Sequence, residues 1–277
     1  MRCDLNYIFN NYPDRCIAGF NVYGYEDAAA VIEAAEEIQC PVILMVNVPA
    51  AEHMPIRIIG ALLAEMADEA NVPVCVHLDH STSMENIALA CSSGFTSVMF
   101  DGSQLPYEEN VEMTKRARAI AHASGLSIEA EIGSVGYSDP SIKAKTVYTR
   151  PEEAASFYAE TRVDALAVSV GTTHRQTVQN AELRLDLLDS IRTEVSVPLV
   201  IHGSSSVKDA ELPVLALHGA KKINLGTCLR MSFGKALHEA ADNMPTQFDR
   251  IELFKPCMAA VRQEAEKKLR LLNVRIG

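Results

Sequence analysis

The sequence predicts an α/β protein built as a single (β/α)8 barrel, the TIM-barrel architecture, with extra helices at its C-terminal end. Short runs rich in β-branched residues alternate with stretches of helical periodicity along all 277 residues, a pattern typical of parallel sheets. A barrel of this kind takes about 250 residues. No Ser/Gly-rich linker or low-complexity tract divides the chain. We therefore expect one domain over residues 1–277.

Each element follows from its local pattern. The β-branched runs predict eight strands, at residues 17–22, 41–46, 73–79, 97–101, 127–132, 165–170, 198–202 and 222–225. The amphipathic segments between them predict helices, among them residues 28–39, 55–70, 108–124, 152–162 and 183–194. Residues 251–274 predict one or two further helices. A doubly wound sheet is the alternative fold, but the chain has neither a GxGxxG motif after the first strand nor a GxxxxGK[ST] motif.

Composition restricts the classes of partner and the compartment. The formal net charge is −11, which disfavours a nucleic-acid surface but leaves room for an anionic substrate at a locally positive site. No apolar run approaches the roughly 18 residues of a membrane span, and the start lacks the pattern of a signal peptide. The seven cysteines form no CxxC pair. We expect reduced thiols, a cytoplasmic location and no membrane partner.

Histidines stand at the ends of three candidate strands. The third strand runs into Asp79 and His80, the sixth is followed by His174, and the seventh ends at His202. The carboxyl ends of all strands in such a barrel meet at one rim, where the chemistry of the fold takes place. A catalytic zinc ion takes three protein ligands and keeps one position open. The sequence therefore predicts a metal site, although a single histidine is more often structural.

Small residues follow the last two strands. His202 is followed by Gly203 and three serines, and Asn224 precedes Gly226 and Thr227 at the start of a helix. Backbone amides in such loops and at helix N-termini bind anions, and the loops after strands seven and eight are the usual phosphate site of the fold. The alternative is that Gly and Ser only build turns and that Thr227 caps the helix.

Several motifs in order carry a family resemblance over most of the chain. They are residues 19–22 (GFNV), 72–80 (VPVCVHLDH), 94–103 (GFTSVMFDGS), 129–133 (EAEIG), 171–174 (GTTH), 198–205 (PLVIHGSS) and 222–227 (KINLGT). In these the sequence resembles the zinc-dependent class II fructose- and tagatose-bisphosphate aldolases. The resemblance implies a carbon–carbon lyase of carbohydrate catabolism that yields dihydroxyacetone phosphate and an aldehyde, and it implies a homodimer or homotetramer.

The resemblance also implies a role for each matching residue. His80, His174 and His202 would bind zinc, with Asp101 and Glu131 beside the metal or offering a second metal position. Asp79 would handle the proton of the hydroxyl at the bond that breaks. The substrate and its phosphate would meet Asn21, Gly171, Gly203, Ser205, Asn224 and Thr227. A monovalent cation, Na⁺ or K⁺, would lie near the phosphate, held by backbone carbonyls around Gly171 and Gly203.

Three departures from the family pattern surround one pocket. Asp139 is the only carboxylate near the place where the family has a Glu on a mobile loop, so Asp139 is the candidate base at the carbon beside the carbonyl. Arg175 follows His174 where the family usually has Gly, and it offers a planar anion donor. Residues 47–51 replace a small Ser/Pro/Gly loop. An altered substrate and ordinary ketose-bisphosphate activity both fit these changes.

Two other function classes stay open at this stage. A metal-dependent hydrolase on the same barrel would show an HxH pair at the first strand, where Phe20-Asn21-Val22 stands. A non-catalytic descendant would keep zinc and bind sugar phosphates without cleaving them. A Schiff-base lyase is disfavoured because no lysine stands at the strand ends that carry the histidines.

Overall fold

The computed structural model describes residues 1–137 and 146–274. Eight parallel strands close into a barrel, which confirms the predicted fold class. Around the barrel the order is β1 (Ile17–Asn21), β10 (Ala220–Leu225), β9 (Leu199–Ile201), β7 (Ala165–Val168), β5 (Ser127–Ile132), β4 (Ser97–Phe100), β3 (Val74–Ser81) and β2 (Val42–Val46). The short strands β6 (Gly136–Tyr137) and β8 (Thr173–His174) form a separate parallel pair.

Helices surround the barrel. They are α1 (Leu5–Asn11), α2 (Tyr25–Ile38), α3 (Val48–His53), α4 (Ile56–Glu69), α5 (Met84–Cys91), α6 (Tyr107–Ala123), α7 (Pro151–Thr161), α8 (Leu185–Glu194), α9 (Leu212–Leu217), α10 (Thr227–Asn243) and α11 (Arg250–Leu272). Two 3₁₀ turns, Ser204–Ser206 and Asp209–Glu211, follow β9. The C-terminal α11 is one continuous helix that packs against α2 and α10. No helix in the described ranges is both long enough and apolar enough to cross a bilayer.

The N-terminal helix α1 closes the amino-terminal end of the barrel, a feature that the sequence pattern did not predict. The side chain of Asp4 accepts a hydrogen bond from the backbone N–H of Tyr7 and caps the helix. Leu5 and Ile8 of this helix are fully buried against the lower barrel interior, in a cluster that includes Ile43 and Met99. This end of the barrel is therefore dry and apolar, and the polar interior residues lie toward the other end.

The third strand is longer than predicted and is irregular where it ends. It continues to Ser81, and its pairing with β4 shifts register between Leu78 and Ser81. His80 lies within this shift and has a φ of 53°, a left-handed conformation that is uncommon for residues other than glycine. A register shift of this kind bends a strand and redirects its side chains. The irregularity therefore falls on the segment that carries Asp79 and His80.

Candidate metal centre and its cleft

A cleft opens at the carboxyl ends of the barrel strands. Its lining residues come from the carboxyl ends of six barrel strands, from the loops that follow them and from the first turn of α10. They are Asn21, Tyr23, Asn47, Val48, Pro49, Asp79, His80, His174, Arg175, His202, Gly203, Ser204, Ser205, Asn224, Gly226, Thr227 and Arg230. This is the face of the barrel at which the fold carries its chemistry.

The three histidines predicted as metal ligands meet in this cleft. Their ring centroids are 4.9 Å apart for His80 and His174, 4.5 Å for His80 and His202, and 5.9 Å for His174 and His202. One nitrogen from each ring lies within 4.8 Å of the other two. They come from β3, from the short β8 and from the end of β9. Such a set of three imidazoles can hold one divalent ion.

The register shift in β3 explains why Asp79 and His80 both reach the cleft. Consecutive residues of a regular strand point to opposite faces. Here the left-handed backbone of His80 turns its ring toward the other histidines, while Asp79 is directed into the barrel, where its Oδ1 accepts a hydrogen bond from Nδ2 of Asn224 at 3.2 Å. Strain of this kind in the backbone is common at functional sites.

Two of the three imidazole rings lie within hydrogen-bond distance of a carboxylate. Nδ1 of His80 lies 2.7 Å from Oδ2 of Asp101, and Nε2 of His202 lies 2.8 Å from Oε1 of Glu129. Carboxylates in this position fix the tautomer and orientation of histidines that bind metals. Lys222 donates to Oε2 of Glu129 at 2.6 Å, and both side chains are fully buried. The candidate ligand His202 is therefore held by a buried ion pair inside the barrel.

The charges around the histidines favour a cation at their centre. Burial opposes protonation of His80, but Asp79 and Asp101 outweigh it and raise the pKa of His80 to about 10. Burial, together with the neighbouring His80, lowers the pKa of His174 and of His202, so both rings are neutral. Neutral imidazoles backed by carboxylates are the donor set that zinc prefers. The residues present thus fit a zinc ion.

Glu131 and Asp101 form a second group with His80. One ligand atom from each of the three lies within 4.8 Å of the others. Oε1 of Glu131 accepts from the backbone N–H of Val135 at 3.0 Å, and Oε2 is buried without a hydrogen-bond partner within the described structure. Burial and the nearby Asp101 raise the pKa of Glu131 to about 8. This group offers donor atoms for a second cation, which is one of the two roles that the family resemblance implied for Asp101 and Glu131.

Asp79 remains a carboxylate despite its burial. Burial favours its neutral form, but His80 and His202 outweigh that effect and lower its pKa. Two amide oxygens, Oδ1 of Asn21 and Oδ1 of Asn224, are buried nearby in the cleft lining and accept no hydrogen bond from any described residue. Buried polar atoms without partners are rare and call for an explanation. Hydroxyl groups of a bound polyol would satisfy both.

The loop after β9 approaches the backbone of β8 closely. Gly203 has a φ of 67°, and a Cβ there would lie 2.9 Å from backbone atoms of Thr173, so glycine is required on both counts. The Ser205 hydroxyl accepts from the N–H of Gln176 at 3.1 Å, which fixes the segment that carries Arg175. Among the described residues no side chain caps α10, because Gly226 is its N-cap and Thr227 its first residue. The capping role considered for Thr227 is therefore wrong.

The remaining sequence-predicted residues lie as follows. Arg175 lines the cleft and has a φ of 56°. Gly171 does not line it; its φ is 104°, and a Cβ there would clash with the carbonyl oxygen of Glu182. Asp139 lies outside the described residues.

Sequence reasoning missed several residues that shape the site. Glu129 and Lys222 each stand two positions before a predicted site residue, Glu131 and Asn224, on the same strand. Because side chains two apart share one face of a strand, that spacing was the available signal for both. Arg230 carried no such signal, since it lies within a helix beyond the last motif.

The comparisons with known proteins agree with this geometry. Residues 12–275 match the family described as "Fructose-bisphosphate aldolase class-II". The chain is 35% identical over 257 residues to a 6-phospho-5-dehydro-2-deoxy-D-gluconate aldolase of Shouchella clausii, covering 92% of this chain and 88% of that one. It is 32% identical over 260 residues to a sulfofructosephosphate aldolase of Alkalicoccus urumqiensis, covering 93% and 91%.

A solved structure shares the whole architecture. The crystal structure of the YdjI aldolase from Escherichia coli K12 superposes with a TM-score of 0.85 at 33% identity, over 99% of this chain and 98% of that chain. The family match spans nearly the whole chain, and the three converging histidines lie at the rim that the fold uses for catalysis. The chain belongs to the class II fructose-bisphosphate aldolase family.

Proposed function

We propose that this chain is a zinc-dependent aldolase that reversibly cleaves a phosphorylated ketose to dihydroxyacetone phosphate and an aldehyde. One observation supports this above all. A buried, ionised Asp79, held by Asn224, lines the same cleft as three histidines whose nitrogens converge. Aldol cleavage needs a base next to an electrophile, because a proton leaves one oxygen while charge develops near another.

His80, His174 and His202 would hold the zinc ion, supported from outside by Asp101 and Glu129. When bound there, zinc supplies a Lewis acid for the negative charge that develops beside the ketose carbonyl. Neutral imidazoles leave the ion its full positive charge. Lys222 is fully buried in its ion pair with Glu129. Its amine therefore cannot reach a substrate carbonyl in the cleft to form a Schiff base.

Asp79 would accept the proton of the hydroxyl on the carbon that becomes the aldehyde. As that proton leaves, the carbon–carbon bond breaks, its electron pair stays on the carbon beside the carbonyl, and the second fragment departs as the aldehyde. A proton then returns to that carbon to give dihydroxyacetone phosphate. Asn224 donates to Asp79 through Nδ2 while its Oδ1 is without a partner among the described residues, so it can position the carboxylate and accept from a substrate hydroxyl.

The phosphate would bind between the loop after β9 and the first turn of α10. Gly203, Ser205 and Thr227 line that part of the cleft, and the first backbone N–H groups of a helix attract anions. Arg175 enters the same cleft from the segment that Ser205 fixes. We place the donor half of the substrate here, with its reacting carbon toward Asp79.

We infer that the aldehyde half of the substrate differs among members of the family. This favours an altered substrate over ordinary ketose-bisphosphate activity. The relatives named above act, by their names, on different sugar derivatives, so family membership leaves the substrate open. In this chain Asn47, from the loop after β2, donates to the hydroxyl of Tyr23 at 3.2 Å and accepts from the N–H of Ala50 at 3.1 Å. The Asn47 side chain therefore joins the loops after β1 and β2, which form one wall of the cleft.

Solvent-deuterium exchange into dihydroxyacetone phosphate, followed by proton NMR, tests the proposal without a choice of aldehyde. Zinc-loaded protein should exchange one of the two protons on the hydroxymethyl carbon of dihydroxyacetone phosphate for deuterium, and chelator-stripped protein should not. Exchange that survives removal of the metal would contradict the role of zinc. No exchange in loaded protein would contradict the aldolase proposal; binding of dihydroxyacetone phosphate by calorimetry would then favour the non-catalytic alternative.

A further inference from the structure

His174 differs from the other two candidate metal ligands in what holds it. His80 lies within β3, and His202 directly follows β9, so strands of the closed barrel carry both. His174 ends β8, a two-residue strand that pairs with β6 outside the barrel sheet. The position of His174 at the metal centre therefore depends on what holds the segments that contain β6 and β8.

These two segments are joined directly by backbone pairing. Gly136 lies opposite Thr173, and Tyr137 lies opposite His174, in parallel register. The backbone N–H of Thr173 also donates to the hydroxyl of Ser206, in the loop after β9, at 2.9 Å. Because β8 is paired with β6, a displacement of β6 would also displace His174.

Thr149 is hydrogen-bonded to both segments. Its hydroxyl donates to the backbone carbonyl of Ile132 at 2.6 Å, and Ile132 ends β5 just ahead of β6. The same hydroxyl accepts from the N–H of Ser169 at 2.8 Å, and the N–H of Thr149 donates to the carbonyl of Ser169 at 3.1 Å. Ser169 follows β7 and precedes β8. One side chain therefore links the chain that leads into β6 with the chain that leads into β8.

The backbone around Thr149 leaves little freedom for this link. Gly133 has a φ of 76°, and a Cβ there would clash with Oγ1 of Thr149, so glycine makes room for the hydroxyl. Ser134 and Val147 exchange two backbone hydrogen bonds, of 2.8 and 2.9 Å. Thr149 is fully buried. Loss of its hydroxyl would take a hydrogen bond from each of two buried backbone groups, which folded proteins avoid.

We propose that Thr149 is a positioning residue for the metal centre, whose hydroxyl fixes the β6 and β8 segments relative to each other and so places His174 for zinc. This inference rests on the proposed function, in which His174 binds zinc. Thr149 is not among the residues that line the cleft, so it acts through the backbone and not on the substrate. Ligands of a metal site must be held to within about 0.5 Å by such supporting contacts.

Zinc affinity, measured by competition with a chromophoric chelator, tests this role without an assay of activity. Thr149→Val keeps the shape of the side chain but removes the hydroxyl, and we expect zinc to bind about tenfold more weakly. Thr149→Ser keeps the hydroxyl and should bind zinc nearly as the wild-type protein does. Thr161→Val is the matched control, because the buried hydroxyl of Thr161 donates to the carbonyl of Phe157 within α7. It should leave the zinc affinity unchanged.

A double-mutant cycle tests whether Thr149 acts through His174. In the His174→Ala background, Thr149→Val should cause no further loss of zinc affinity, because the ligand that Thr149 positions is absent. A further tenfold loss in that background would mean that the hydroxyl acts on another ligand, and it would overturn the inference. Thr149→Ala, which places no methyl group against the carbonyl of Ile132, replaces Thr149→Val if that variant does not fold.

The outcomes separate this inference from the proposed function. Wild-type zinc affinity in the variant without the hydroxyl overturns the inference alone, and so does an equally large loss in Thr149→Ser or Thr161→Val. Wild-type protein that binds no zinc overturns the proposed function together with the inference.

Discussion

Nε2 of His80 and Nδ1 of His202 face each other at 2.8 Å. The other nitrogen of each ring meets a carboxylate, Asp101 for His80 and Glu129 for His202. When both rings donate to their carboxylates, the two facing nitrogens are both lone-pair acceptors. Such an arrangement is repulsive unless a positive charge lies between them. A proton on His80 fulfils this need in the metal-free protein, and zinc would fulfil it in the loaded protein.

The Asp101 carboxylate should therefore control zinc affinity. Asp101→Ala removes the acceptor that orients His80, and we expect zinc to bind roughly 10–100-fold more weakly. Asp101→Asn should lose less, because its amide oxygen still accepts from Nδ1. Competition with a chromophoric chelator at fixed pH measures both affinities. Wild-type affinity in Asp101→Ala would show that the carboxylate does not support the metal.

The metal-free protein should lose stability as pH rises above neutrality. The pKa of His80 is raised to about 10 and that of Glu131 to about 8, so the native state binds more protons than the unfolded state above pH 7. The free energy of unfolding then falls with pH, by at most about 1.4 kcal/mol per pH unit for each group. The lowered pKa values of His174 and His202 affect the stability only below about pH 6.5, the usual pKa of histidine.

Urea unfolding of chelator-stripped protein between about pH 7 and pH 8.5 measures this slope. Zinc-loaded protein should show a smaller slope, because metal binding requires an unprotonated His80 and so removes the contribution of that residue. Asp101→Asn should flatten the slope of the stripped protein, since it removes a charge that keeps His80 protonated. A stability that rises with pH in this window would contradict the charge assignment.

The ion pair of Lys222 and Glu129 should behave as a coupled unit. Lys222→Met leaves a buried carboxylate without its cation, at a cost of about 3–5 kcal/mol. The double variant with Glu129→Gln should recover part of that loss, because no unpaired charge remains. Lys235→Met, at an exposed ion pair with Glu239, should cost less than about 1 kcal/mol. Additive losses in urea unfolding at Lys222 and Glu129 would contradict the coupling.

The sequence predicted the barrel and the meeting of the strand-end histidines because both depend on local patterns, whereas the roles of Asp101 and Glu131 came from the family resemblance. Asp79, His80, His174 and His202 stand at strand ends, and parallel strands bring their ends to one rim. The register shift at His80 could not be predicted, since it depends on pairing between β3 and β4. The contact of Arg230 with Tyr23 joins residues far apart in the chain, and only the folded structure reveals it.

Asp139 stays a prediction from the sequence, because it lies outside the described residues. If it moves the proton at the donor carbon, Asp139→Asn should slow deuterium exchange into dihydroxyacetone phosphate by about 10²-fold or more. Its zinc content should equal that of the wild-type protein. An unchanged exchange rate would remove Asp139 from the mechanism.

Asp79→Asn separates proton transfer from metal binding. The substitution preserves the size of the side chain and leaves all three histidines in the chain, but an amide cannot take a proton from the substrate hydroxyl. We expect cleavage of the carbon–carbon bond to slow by about 10²–10⁴-fold, with zinc content unchanged by metal analysis. Asn224→Ala, which removes the hydrogen bond to Asp79, should weaken activity less. Loss of zinc in parallel with activity would mean that Asp79 maintains the metal site; near-normal cleavage would mean that another group accepts the proton.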